Sequence, residues 1–203
     1  YADIVELRID YIPELQNALA CIEKSLKSKT KPVIITNRPE REGGKFNGSE
    51  QDRLRLLQKA IDLGADYVDI EYDSIKQITR RNSSKIIISH HNFKETPHNL
   101  SKIYDDICQQ KPDIVKIVTY ANDIIDNIRI FELLKSAQIP TISFCMGESG
   151  YISRILTKKF GGFLTFASLE KGKESAPGQL TVNELSKIYH FENINKQTKL
   201  YGI

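Results

Sequence analysis

Short β-branched runs alternate along this chain with longer amphipathic stretches, and this alternation leaves few folds open. Strands are predicted over Asp3–Ile9, Pro32–Thr36, Tyr67–Ile70, Lys85–Ser89, Ile114–Val118, Pro140–Cys145 and Phe163–Ala167. Helices are predicted over Leu15–Leu26, Ser49–Leu63, Ser74–Arg81, His98–Gln109, Ile124–Ser136, Ser153–Lys159 and Thr181–Tyr189. Strands separated by helices mean βαβ units and a parallel sheet, hence an α/β fold. No low-complexity linker interrupts the pattern, so one domain is expected over residues 1–191, with 192–203 as a linker leading onward. A closed (β/α)8 TIM barrel runs to about 250 residues, with about 200 at the lower end. Only seven strands can be counted, and the chain opens at Tyr1 without an initiator Met, so a first strand is expected to lie upstream. The competing architecture is an open doubly wound sheet; the lack of a glycine-rich nucleotide fingerprint after any strand weakens it.

Among the strands, Ile114–Val118 carries the most unusual residue. Lys116 is a cation in an apolar, β-branched run, costly to bury unless it has partners. Burial favours the neutral amine of a lysine, the form that attacks a carbonyl carbon. Either Lys116 reaches water at its tip, as buried-stem lysines do, or it forms a Schiff base.

Other polar residues gather at the carboxyl ends of the strands, where parallel α/β folds build their sites. Glu6, Arg8 and Asp10 alternate with Val5, Leu7 and Ile9 and are expected on one face of a strand. Arg38 leaves the second strand with a planar fork suited to a carboxylate, and Gly43-Gly44 allows a turn that folds Glu42 back. His90 and His91 follow another strand, and a histidine there suits general acid–base work. The four histidines show no metal-ligand spacing, so no metal is expected. Met146 and Gly147 precede Arg154, which is expected near the start of a helix, where an anion gains from both. Ser175-Ala176-Pro177-Gly178-Gln179 reads either as an ordinary turn or as a lid whose Ser175 and Gln179 donate hydrogen bonds.

The net charge of +3 is too small, and the basic residues too scattered, to indicate nucleic acid. No apolar run approaches membrane-spanning length. Cys21, Cys108 and Cys145 form no motif, so reduced thiols are expected.

Taken together, several stretches resemble the type I 3-dehydroquinate dehydratases, the Schiff-base enzymes of the shikimate pathway. They are Glu6-Leu7-Arg8-Ile9-Asp10, Thr36-Asn37-Arg38 with Glu42-Gly43-Gly44, Asp69-Ile70-Glu71, Ser89-His90-His91-Asn92-Phe93 with Thr96-Pro97, Val115-Lys116-Ile117, Met146-Gly147 with Ser153-Arg154, and Ser175–Gln179. Each is weak alone; all of them in the family's order are specific. The ending Lys199-Leu200-Tyr201-Gly202-Ile203 is similar to the opening of a shikimate dehydrogenase domain, as in the fused enzymes of plants. His91-Asn92 departs from the His-Asp pair common in bacterial members.

The resemblance implies a (β/α)8 barrel whose small-molecule substrate is 3-dehydroquinate. It implies Lys116 as the Schiff-base lysine, His91 as general acid and base, and Glu42 as the group that orients the histidine. It implies Arg154, Ser175, Gln179 and Met146 around the substrate, and Glu6, Arg8 and Arg38 as a paired floor for its hydroxyls. No cofactor is expected, NADP belonging to a fused dehydrogenase partner; the location is expected to be cytoplasmic, or plastid in a plant. The alternatives are a Schiff-base aldolase acting on another keto substrate and a non-catalytic barrel domain.

Overall fold

A computed structural model of the chain describes residues 2–81 and 83–201. They form two compact units, one drawn from Tyr1–His90 with Gln109–Ile114, the other from His91–Cys108 with Val115–Ile203. The Gly202-Ile203 end of the dehydrogenase-like motif lies outside the described residues.

The first unit contains β1 (Val5–Arg8), β2 (Val33–Thr36), β3 (Tyr67–Glu71) and most of β4 (Lys85–His91). Each is parallel to its neighbour, with Arg8 opposite Thr36, Thr36 opposite Asp69, and Glu71 opposite Ser89. These pairings bring the polar strand ends to one level. Ile34, Ile35, Val68, Ile70 and Ile86–Ile88 are all buried, the continuous apolar run of parallel strands covered on both sides. Around them pack α1 (Leu15–Ser28) and α2 (Glu50–Asp62). Ser49 caps α2, its hydroxyl accepting from the Asp52 amide. Arg53, Leu54, Leu57, Ala60 and Ile61 line the helix's buried stripe, so one arginine is carried into the interior.

In the second unit β5 (Ile114–Tyr120) runs parallel to β6 (Thr141–Met146), with Lys116 opposite Ile142 and Tyr120 opposite Met146. The helices are α3 (Leu100–Cys108), α4 (Asp126–Ser136), α5 (Tyr151–Leu156) and α6 (Val182–Lys187). Ile155, Leu156, Leu180, Leu185 and Ile194 form a core cluster against Phe131 and Phe160.

Several elements differ from expectation. β1 stops at Arg8 and Ile9–Tyr11 is a 3₁₀ turn, so Asp10 folds back toward Arg8 instead of continuing the strand face. The helix expected over Ser74–Arg81 is only a turn, Ile75–Gln77. Its continuation is intercepted by the Gln58 amide, which accepts from the Thr79 amide (2.9 Å) and donates to the Thr79 carbonyl (3.0 Å). The strand expected over Phe163–Ala167 is irregular: the Phe163 amide donates to the Thr141 carbonyl (2.8 Å), and the next pairing is an isolated bridge, Ser168 with Thr181. No helix among the described residues is long and apolar enough to cross a membrane.

Candidate active site

In the first unit the expected residues gather at the ends of β1 and β2. The Arg8 fork donates to both Asp10 oxygens, each at 2.8 Å. The Glu6 carboxylate accepts from the Thr36 hydroxyl (2.7 Å). Arg38 is buried, with Asp69 at 2.7 Å on one arm and Glu71 at 2.5 Å on the other. It also donates to the Ser89 hydroxyl, which in turn donates to Asp69. Burial opposes the charge on Arg38, but Asp69 and Glu71 outweigh it and raise its pKa.

The second oxygen of Glu71 is taken by Arg53, whose side chain is wholly buried. Arg53 also donates to the Asn37 carbonyl (3.0 Å), and its other nitrogens meet Glu50 at 2.6 and 2.8 Å. The Arg53 hydrogen bond, with help from Ser74 and Arg41, pulls the Glu50 carboxyl down to about 2. Asp69 and Glu71 were visible in the sequence as part of a motif. Arg53 was not, because an arginine in a charged helical stretch reads as a solvated face.

Glu42 lies in the 3₁₀ turn Glu40–Glu42. Gly43 follows with φ +74°, and a Cβ on Gly44 would fall 1.9 Å from the Arg38 carbonyl oxygen, so the double glycine is what permits the turn. The Lys45 amide ties the loop to Asp10 (3.0 Å). Glu42 Oε1 stands 3.9 Å from His90 Nδ1. Burial pushes the Glu42 carboxyl up to about 8; Arg38 pulls it down, while Glu71, Asp73 and Asp69 add to the rise. Burial also lowers the His90 pKa, with Asp73 working against it.

The remaining expected residues belong to the second unit. His91 is half-buried at the end of β4, its ring stacked on Phe93 with centroids 6.3 Å apart. Asn92 accepts from the Lys94 and Glu95 amides (2.8 and 3.0 Å), so in this chain it shapes the turn after the histidine. Lys116 is 6% exposed in mid-β5, its Nζ over the Phe166 ring. Phe166 had no signal in the sequence beyond an aromatic in an expected strand. Met146 is fully buried at the end of β6.

Arg154 is 1% exposed and stacks on the Phe144 ring, 4.3 Å from its centre. It stands in the last turn of the short α5, not at its start. One nitrogen donates weakly to the Pro177 carbonyl (3.3 Å), and Nε has no hydrogen-bond partner among the described residues. No carboxylate among the described residues meets it, and burial lowers its pKa to about 10. Ser175 and Gln179 come together: the Gln179 side-chain oxygen accepts from the Ser175 amide (2.7 Å) and hydroxyl (3.1 Å). This loop rests on the end of β6, the Gly147 amide donating to Pro177 (3.3 Å). Its ends are joined: the Ser168 amide donates to Leu180, the Val182 amide to Ser168, and Thr181 with Glu184 makes a capping box. Among the described residues no three His, Cys, Asp or Glu side chains are grouped as a metal site.

Beside this geometry, the chain matches one family model, that of type I 3-dehydroquinase, over residues 1–196. The chain belongs to the type I 3-dehydroquinase family. Enzymes of this family are hydro-lyases. A chloroplast protein of Arabidopsis thaliana, described as a bifunctional 3-dehydroquinate dehydratase/shikimate dehydrogenase, is 43% identical over 210 residues. That match takes in 100% of this chain but only 35% of the Arabidopsis protein, so the chain spans about a third of its length. A 3-dehydroquinate dehydratase of Methanopyrus kandleri is 38% identical over 188 residues, 92% of this chain and 86% of the relative. A crystal structure of a 3-dehydroquinate dehydratase from Geobacillus kaustophilus shares the 3-dehydroquinase fold, with a TM-score of 0.84 at 24% identity, covering 97% of this chain and 82% of that one.

Proposed function

We propose that this chain dehydrates 3-dehydroquinate to 3-dehydroshikimate, a step of the shikimate pathway, through a Schiff base on Lys116. The observation that carries this reading is Arg154: a buried guanidinium that meets no carboxylate among the described residues is costly unless an anionic ligand supplies one, and 3-dehydroquinate is a carboxylated ketone. The lysine amine attacks the ketone carbon, giving a carbinolamine that loses water to an iminium. The iminium draws electrons, so the neighbouring carbon gives up a proton to His91 and an enamine forms. The enamine expels a hydroxyl group, which takes the proton from His91 and leaves as water. Hydrolysis of the new iminium consumes one water and frees product and lysine, so the net change is the loss of one water.

In this reading Arg154 holds the substrate carboxylate, Ser175 and Gln179 close over the ring, and Met146 packs against it. Glu6, Arg8 and Arg38 take the ring hydroxyls, the flanking carboxylates holding Arg38 in one orientation. Glu42, 3.9 Å from His90 in this structure, is assigned the part of orienting His91. The lysine supplies the covalent chemistry, so the dehydration calls for no cofactor. We further propose that the α/β units belong to a (β/α)8 barrel over residues 1–191. Residues 192–203 would lead into a fused shikimate dehydrogenase that binds NADP, in the cytoplasm or, in a plant, the plastid. The Arabidopsis relative supports that organisation.

The deciding experiment is borohydride reduction of the protein with 3-dehydroquinate, followed by peptide mass spectrometry. An adduct on Lys116 supports the route. A folded protein with no adduct overturns it.

A further inference from the structure

We infer that Arg41 is a positioning residue, which fastens the Glu40–Glu42 turn to Asp73 and Glu50 and so holds the Glu42 carboxyl beside His90. This rests on the role proposed above for Glu42. Arg41 reaches Asp73 through two nitrogens, Nε to Oδ2 at 3.1 Å and Nη2 to Oδ1 at 2.9 Å. It also donates to Glu50 (3.3 Å) and to the Ser74 hydroxyl (3.1 Å). Its partners therefore come from the segment after β3 and from the start of α2. Glu50 is itself held by buried Arg53, so the anchor is tied to the interior.

A 3₁₀ turn has three residues per turn, so neighbouring side chains project in widely separated directions. Arg41 points out to its anchors while Glu42 points inward. The turn is closed by its own hydrogen bonds, Glu42 amide to Pro39 and Gly43 amide to Glu40. A turn this short moves as one piece, so what restrains Arg41 restrains Glu42. An isolated exposed ion pair contributes little, but a bidentate fork within a network is the case in which such pairs count.

Among the groups facing Glu42 are Arg38 from the end of β2, Asp69 and Glu71 from β3, Asp73 just after it, and His90 from β4. Their arrangement makes the two outcomes of cutting the fork opposite in sign. If the turn swings away, Glu42 gains water and titrates at lower pH, near an ordinary glutamate. If the turn stays, Asp73 loses its counter-ion and drives Glu42 upward.

The test is carbon-13 NMR of glutamate-labelled full chain, with the Glu42 signal assigned by its loss in Glu42→Gln. Arg41→Ala should move the titration down from about 8 toward the ordinary range, Arg41→Lys should move it part of the way, and thermal stability should stay close to that of the parent. An unchanged or raised titration in Arg41→Ala overturns the inference. Turnover of 3-dehydroquinate should fall about threefold to tenfold in Arg41→Ala, with no further loss when Arg41→Ala is added to Glu42→Gln. If Glu42→Gln leaves turnover intact, the catalytic role of Glu42 fails, while the titration still decides the anchor.

Discussion

Lys116 Nζ lies over the face of the Phe166 ring, 4.4 Å from its centre. The ring face carries negative partial charge, so it favours a cationic nitrogen in that place. The nitrogen of a protonated iminium is the same atom bearing a positive charge, so in the proposed route the ring would stabilise the iminium relative to the neutral amine that attacks. Phe166→Leu keeps the apolar cover and removes the ring face. The rate of borohydride-trappable adduct formation should fall about threefold to thirtyfold, the range of a partly desolvated cation–π contact. An unchanged rate would reduce Phe166 to packing.

Glu42 gives a pH dependence of stability. Its carboxyl titrates at about 8 in the folded chain against 4.5 ordinarily, because burial opposes its charge. Between those values the folded state holds a proton that the unfolded state has released. The contribution of Glu42 is therefore full below pH 4.5 and is lost as pH rises through 8. In urea unfolding, the stability of the parent relative to Glu42→Gln should decline across that window by a few kcal/mol and level off above it. A flat difference would mean the carboxyl is solvated.

Arg53 and Arg55 lie two residues apart on α2 with opposite fates. Arg53 is wholly buried between Glu50 and Glu71, whereas Arg55 is 71% exposed beside Asp52. Arg53→Met leaves Glu71 half unpaired in the interior and should cost about 3–5 kcal/mol of unfolding free energy. Arg55→Met should stay within about 0.5 kcal/mol of the parent. Equal effects by calorimetry would contradict the burial of the pair.

Gly178 and Gly172 separate strain from collision. Both have positive φ, +73° and +81°. A Cβ on Gly178 would stand 2.6 Å from the Gly147 oxygen, while one on Gly172 meets nothing within 4 Å. Gly178→Ala should lift the Ser175–Gln179 loop, raise KM and speed proteolysis within 169–180. Gly172→Ala should show only the backbone cost, on the order of 1 kcal/mol. Matching kinetics in the two variants would detach the loop from substrate binding.

The strands were legible because parallel strands covered on both sides must be written as apolar β-branched runs, and Ile34-Ile35 and Ile86-Ile87-Ile88 are such runs. The polar ends of β4 and β5 extend beyond the expected strands: His90-His91 and Thr119-Tyr120 continue them, and a polar tail carries no apolar signal. Lys116 stood out because its neighbours on both sides are apolar. Arg53 and Phe166 did not, since their importance comes from Glu71 and Lys116, far away in sequence. The failed helix after Ser74 has the same origin, a Gln58 amide that no local pattern near Thr79 could announce.

The bridge between Ser168 and Thr181 has a consequence for how this chain can vary. A loop pinned at both ends has already given up most of its freedom, so ordering its crown over a ligand costs little further entropy. Its exposed tip around Leu169–Glu174 can lengthen or change composition while Ser175 and Gln179 keep their geometry. Differences in length and composition among relatives should therefore accumulate in that tip, where drift leaves the residues beside it in register.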